Sequence, residues 1–338
     1  MIETKPIIDK KIWETFVLSQ AQAGFLQSWN WGQFHQSLNH DIFRLGVYQN
    51  HRLIGVALLI KIKSKRGIYL ECPGGPIIPW ENQPARQAIA ISFKSLAKKV
   101  KANFIRIRPN ILATREHINL IRNLGFIKAP MHLHAETTWV LNLQDSETEL
   151  LENMRKNTRY SIKKALSLGV KVIKSLDVQD IKTLYQLQLE TVKRKKFVPF
   201  SYHYLLTQFN TFKQDNQIQL FKADFQGKTL AIAFIIFYGH EAVYHYSGSS
   251  NQFRHIPASY LLQWEAIKAA KSQGLAQYNF WGIASTDNPK HRFAGVTLFK
   301  KGFGGFPVNF LPAHDLPLTP LYWLDYLFET FRRKFRHL

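Results

Sequence analysis

Alternation of apolar and polar residues divides the chain into short strands and amphipathic helices, and it does so twice in the same order. FRLGVYQNHRLIGVALLIKIK (43–63) reads as two strands around a polar turn. IQLFKADFQGKTLAIAFIIFYG (218–239) reads the same way, with Gln226, Gly227 and Lys228 at the turn. Each hairpin is followed by a strand that runs into a loop of small residues, GIYLECPGGP (67–76) and AVYHYSGSS (242–250). An amphipathic helix comes next, ARQAIAISFKSLAKKVK (85–101) and ASYLLQWEAIKAAKSQG (258–274), and then another strand, NFIRIRP (103–109) and QYNFWGI (277–283). From residue 43 to residue 218 the offset is 175, and the other matching elements stay close to it. Four elements in one order at one offset are hard to produce by chance.

Strand, strand, strand, loop, helix, strand is the order of the GNAT acyltransferase fold, where the loop before the central helix turns backbone N–H groups toward a phosphate. The expected architecture is therefore α/β (α+β): two tandem GNAT-like acyltransferase domains, each a mixed, mostly antiparallel sheet flanked by helices. The domains span 1–148 and 149–310, with 311–338 joining the first. Their junction lies near 145–150, where Asp145, Ser146 and Thr148 can start a helix. The absence of a long heptad pattern between 150 and 220 argues against an extended coiled-coil arm. Neither loop carries the Arg/Gln-x-x-Gly-x-Gly/Ala pattern that cradles the coenzyme A pyrophosphate. The second has Phe253-Arg254-His255-Ile256-Pro257-Ala258 and the first Pro73-Gly74-Gly75-Pro76, so acetyl-CoA is a poor choice of donor.

Composition narrows the picture. At 338 residues the chain can bury two cores, and 46% hydrophobic residues make it globular. A single cysteine, Cys72, excludes a disulfide framework and reads as a small core residue. Apolar runs such as 53–60 and 230–237 fall well short of the roughly 20 residues a spanning helix needs. With no signal-peptide pattern in the first residues, a soluble, cytoplasmic protein is expected. His132-x-His134 lacks neighbouring ligand residues, so neither metal nor cofactor is expected. Charge changes the picture most: 45 Lys and Arg against 23 Asp and Glu give a net +22, which favours a polyanionic partner.

The chain resembles the FemABX family of non-ribosomal peptidyl transferases over nearly its whole length. The resemblance rests on FLQSWNWGQFH (25–35), PGGPI (73–77), MRKNTRYSIKKALSLGV (154–170), YHYSGSS (244–250), the helix at 258–274, YNFWGI (278–283) and GVTLFKKGFGG (295–305). It implies transfer of Gly, Ala or Ser from aminoacyl-tRNA to the stem-peptide amine of UDP-MurNAc-pentapeptide or lipid II. Size and the missing arm are closest to the FemX-like members. Such aminolysis needs a positioned amine and a stabilised oxyanion, and no covalent intermediate.

The resemblance also assigns residues. Phe299 and Lys300 match the family's catalytic pair, Lys300 meeting the developing negative charge. Without it, Lys300 and Lys301 are a solvated pair on a loop. Gly302, Gly304 and Gly305 are expected to bring the lysine close to a ligand. Tyr244 and Tyr246 match a cleft pair whose rings, two apart on a strand, are expected to line one wall as substrate-binding groups, or else to pack as ordinary strand aromatics. Asn279 and Trp281 alternate similarly. In the first domain, Trp31 and His35 fall at the substrate subsite, His35 where the family has a phosphate-binding lysine. Phe200 precedes Tyr204 where the family has an arginine, with Arg194, Lys195 and Lys196 upstream able to substitute. Arg108 stands where an acidic residue is usual.

Arg155, Arg159 and Lys163, four apart on one helix, form a stripe suited to tRNA phosphates, or a solvated helix face. The basic, aromatic C-terminal helix (319–338) suits either packing on the first domain or peripheral contact with an anionic membrane. The rival functions are acyl transfer from another activated donor, and non-catalytic RNA or membrane binding.

Overall fold

A computed structural model describes residues 2–195, 198–286 and 288–336, without the side chains of 193–195 and 336. The chain forms two compact units, Met1–Glu136 with Asn309–Leu338, and Thr137–Val308.

The first unit begins β1 (Ile2–Pro6), α1 (Lys10–Leu18), a 3-10 turn at Phe25–Gln27, and α2 (Trp29–Ser37). It continues through β2 (Ile42–Gln49), β3 (Arg52–Ser64), β4 (Gly67–Gly74), α3 (Gln83–Val100) and β5 (Phe104–Pro109). Then come α4 (Arg115–Arg122) and β6 (Ile127–Lys128). The second unit holds β7 (Thr137–Asn142), α5 (Glu147–Glu152), α6 (Lys156–Ser167), β8 (Lys171–Ser175), α7 (Asp180–Lys195) and α8 (Tyr202–Lys213). It goes on with β9 (Ile218–Phe225), β10 (Lys228–Tyr238), β11 (Glu241–Ser249), α9 (Ala258–Ser272), β12 (Gln277–Gly282), α10 (Ala294–Lys301) and β13 (Phe306–Asn309). β14 (His314–Pro317) and α11 (Tyr322–Arg336) return to the first unit.

Each unit is a seven-stranded mixed sheet, ordered β1-β2-β3-β4-β5-β14-β6 and β13-β7-β12-β11-β10-β9-β8. Among the described pairings one per sheet is parallel, β4 with β5 and β11 with β12. The repeat seen in the sequence is thus a repeat of topology. It extends to the turns: Asn50-His51 and Gln226-Gly227 both adopt positive φ at both positions, the geometry a two-residue hairpin needs. Ser146 caps α5 reciprocally with Glu149, as its position in the sequence suggested. β7 pairs with β12, however, so residues 137–142 belong to the second sheet, upstream of the expected junction. Where an arm was not expected, α7 and α8 are helices of 16 and 12 residues.

The first unit is closed by a buried ion cluster. Arg106 on β5 pairs in register with Asp315 on β14 and donates through Nε to Oδ1 (2.7 Å) and through Nη2 to Oδ2 (2.8 Å). Nη2 also donates to Glu329 on α11 at 2.8 Å, and the Tyr322 hydroxyl donates to Asp315 at 3.1 Å. Replacing Arg106 by Met leaves Asp315 buried without a counter-charge and Glu329 with Arg66 alone at 3.7 Å, and should cost about 3–5 kcal/mol in urea denaturation. Lys61→Met, removing the partner of the exposed Asp41, should shift the urea midpoint far less, because solvent screens that pair.

Candidate active site

The second sheet opens where its two parallel strands part. β11 and β12 pair only from Glu241–Val243 to Gln277–Asn279, and both are irregular just beyond. On β11 the partners jump from Ile235–Tyr244 to Phe234–Tyr246, so His245 is an extra residue. On β12 the partners of β7 jump from Asn279 to Gly282, with Trp281 at φ 64°. Asn279 holds this bulge: its Oδ1 accepts from Trp281 N (2.9 Å) while its Nδ2 donates to Glu241 (2.9 Å). His245 and Trp281 meet edge to face at 5.5 Å. A cavity of about 490 Å³ lies here, with β10, α7, the start of α9 and α10 completing its wall.

Lys300 is the charge in this cavity. It sits in the last turn of α10, is 6% exposed, and its Nζ donates to Gly282 O at 2.6 Å. The Tyr244 ring centroid is 5.9 Å from Nζ. Burial pushes the Lys300 pKa down to about 7. An ammonium has three donors, so two remain for a ligand. Thr297 anchors the same helix to the end of β12, accepting from Ala284 N at 2.9 Å. Tyr244 donates to Ser247 at 2.5 Å, and burial raises its pKa, so it stays a neutral hydroxyl. Arg254, exposed in the turn before α9, brings a second cation to the cavity lining.

The chain matches the FemAB family over residues 8–125, 125–230 and 222–330. It belongs to the FemAB family. A Staphylococcus aureus (strain MRSA252) protein named lipid II:glycine glycyltransferase is 22% identical over 389 residues, covering 92% of this chain and 92% of its own. The crystal structure of FemX superposes with a TM-score of 0.86 at 21% identity, covering 95% of this chain and 99% of that one. A tandem GNAT protein from the clavulanic acid biosynthesis pathway gives 0.59 at 10% identity, covering 95% and 99%. Both likenesses bear on the fold, which is the expected pair of GNAT-like units.

Against this FemAB framework the residues singled out in the sequence divide. Lys300, Phe299 and Tyr244 line one cavity. Lys300 is a buried helical residue, not half of a solvated loop pair. Phe299 packs against Tyr260 (4.9 Å) and Phe303 (5.3 Å), fixing the helix that carries the lysine. The glycines beyond do a different job from the one expected. A Cβ on Gly305 (φ 91°) would fall 2.3 Å from Val140 O, and one on Gly302 2.5 Å from the Thr158 hydroxyl. They let the chain leave α10 close against β7 and α6.

Tyr244 and Tyr246 do not line one wall. The extra residue His245 reverses the alternation, so Tyr246 lies over Phe234 (5.5 Å) and beside Phe200 (5.2 Å). Phe200 in turn stacks on Tyr204 at 4.4 Å. Tyr204 and Tyr246 thus form an aromatic cluster on the opposite face from Tyr244.

In the first unit, Trp31 is 2% exposed and packs on Phe25 and Phe34. His35 is buried too, its Nδ1 2.9 Å from His40 Nδ1, and burial drives its pKa down to about 3. A ring that stays neutral brings no positive charge to a phosphate and is a weaker partner for one than an ammonium. Arg108 is spent on Asn110 and the Ala135 carbonyl. The stretch corresponding to the cavity is filled. β4 and β5 stay paired through Gly74–Pro109, and Gln27 donates to Pro73 O (2.6 Å) and accepts from Leu58 N (2.9 Å). The glycines at 74 and 75 leave room for it: a Cβ on Gly75 would fall 2.6 Å from the Gln27 amide carbon.

The expected basic stripe is broken. Arg155 precedes α6 and its N–H donates to Gly302 O (2.9 Å), beside the helix bearing Lys300. Arg159 turns back, its Nη1 donating to the Glu152 (2.8 Å) and Met154 carbonyls at the end of α5. Arg155 and Lys163 are exposed. The Arg194 side chain and Lys196 lie outside the described residues. Sequence reasoning missed His245, Arg254 and Gln263 at the cavity. Only Arg254 carried a signal, the loop position it shares with phosphate cradles.

Lys300 titrates near 7 in the folded chain and near its ordinary, higher value when unfolded. Between those values the unfolded chain binds a proton that the folded one does not, so stability rises with pH. Lys300→Met should be more stable than the parent at pH 6, by about 1–4 kcal/mol, and the advantage should shrink toward pH 10. Urea midpoints across that range check it.

Proposed function

We propose that the chain transfers an aminoacyl group from aminoacyl-tRNA to the stem-peptide amine of a peptidoglycan precursor. The carrying observation is Lys300, a buried ammonium with two donors to spare, in the cavity where β11 and β12 part. In a chain of the FemAB family, similar to an enzyme named for glycyl transfer to lipid II, that makes it an aminoacyltransferase. The attacking amine forms the C–N bond, and electrons collect on the ester carbonyl oxygen. Collapse breaks the bond to the ribose oxygen, which leaves with the proton the amine gives up. Lys300 stabilises the oxyanion, an effect worth about 10²–10³ in rate for a single donor. Arg155, Lys163 and the net +22 support a grip on tRNA phosphates near α10. The similar glycyltransferase makes glycine the first donor to test and lipid II, at a membrane surface, the first acceptor.

The test supplies glycyl-, alanyl- and seryl-tRNA separately to lipid II and to UDP-MurNAc-pentapeptide and follows label in the acceptor. Label is expected to drop by about 10²–10³ in Lys300→Ala. Because the ammonium is the working form, the parent's rate should fall as pH rises through about 7. Activity that rises through the same pH would make Lys300 a proton acceptor instead. Absence of transfer from all three intact tRNAs to both acceptors would overturn the reading.

A further inference from the structure

The C-terminal helix is built inside out. A surface helix ordinarily turns its apolar face to the core, but the buried face of α11 holds Tyr322, Asp325 and Glu329, tied to Arg66 and Arg106. Its outer face carries Trp323, Leu327, Phe331 and Phe335 every four residues, with Leu324 and Phe328 beside them. These six are between 48% and 85% exposed. No other described surface helix of the chain turns so many large apolar side chains outward. The ion cluster explains why the polar face is inward and leaves the apolar face unaccounted for.

Charge says what covers it. Arg332 and Lys334 are exposed at the far end of the helix. Lys63 at the end of β3 and Lys65 in the turn after it are exposed, and Arg66 fastens that turn to Asp325 near the beginning of the helix. Cations therefore flank the apolar face at both ends. A second copy of the chain laid on this face would gather like charges, whereas anionic headgroups would neutralise them while the side chains enter the acyl boundary. Trp323 suits the level where an indole lies between apolar and wet layers.

We propose that the outer face of α11, with these flanking lysines and arginines, docks the protein on an anionic lipid bilayer. This deepens the lipid-linked reading of the acceptor, and its test needs no substrate. The full chain is floated with vesicles of phosphatidylcholine alone and of phosphatidylcholine with phosphatidylglycerol. Binding is expected only to the anionic vesicles, and should be lost in Leu327→Ser/Phe331→Ser and weakened by salt and in Arg332→Gln/Lys334→Gln. Melting temperature should not change in either variant, since all four side chains are exposed and none takes part in the ion cluster.

Binding that survives the serine variant would place the contact elsewhere on the basic surface and overturn the proposal. So would absence of binding to anionic vesicles. A dimer in ultracentrifugation that the serine variant abolishes, without vesicle binding, would assign the face to a second copy. Vesicle binding without transfer to any acceptor would count against the transferase reading alone.

Discussion

Everything proposed for the second unit depends on one local failure of pairing. β11 and β12 hold together for three residues and then part, because each strand carries an extra residue on its outer side. Parallel strands are normally buried on both faces and continuous. Here the separation creates a cavity inside the sheet, and Asn279 keeps it open by satisfying the backbone of Trp281 in a conformation that β-branched and bulky residues avoid. α10 then lies across the opening, pinned through Thr297, and its last turn delivers Lys300 to the gap.

The first unit shows what the same frame does without that failure. Its parallel strands continue in register, and the position equivalent to the cavity is occupied by Gln27, whose amide satisfies strand carbonyls and an N–H at once. A buried amide with its partners met is a stable plug. Repetition of the fold therefore does not repeat the site. The first unit gives its polar interactions to structure instead: Arg106 binds the returning C-terminal segment, and Arg108 fastens loop backbone.

The ion cluster has a consequence on the outside of the molecule. A helix amphipathic in sequence can be buried by either face. With Asp325 and Glu329 committed to arginines, α11 shows its aromatic face to its surroundings. Packing on the first unit and contact with a membrane compete as readings of the sequence, but the first takes only one face of the helix and the proposed membrane contact would take the other.

Periodicity alone determined the tandem organisation, because hairpins and helices are written in local alternation and the offset of 175 repeats it. The Phe299-Lys300 pair and Tyr244 were legible too, as a motif. The fate of the other residues was not. Trp31 and His35 became core, packed among Phe25, Phe34 and His40, and Arg159 was diverted to the carbonyls of a preceding helix. The separation of Tyr246 from Tyr244 turned on one bulge residue, His245, which no alternation pattern announces. Local sequence sets which elements form. The pairing of strands decides which side chains share a face, since a shift of one residue sends each to the other side.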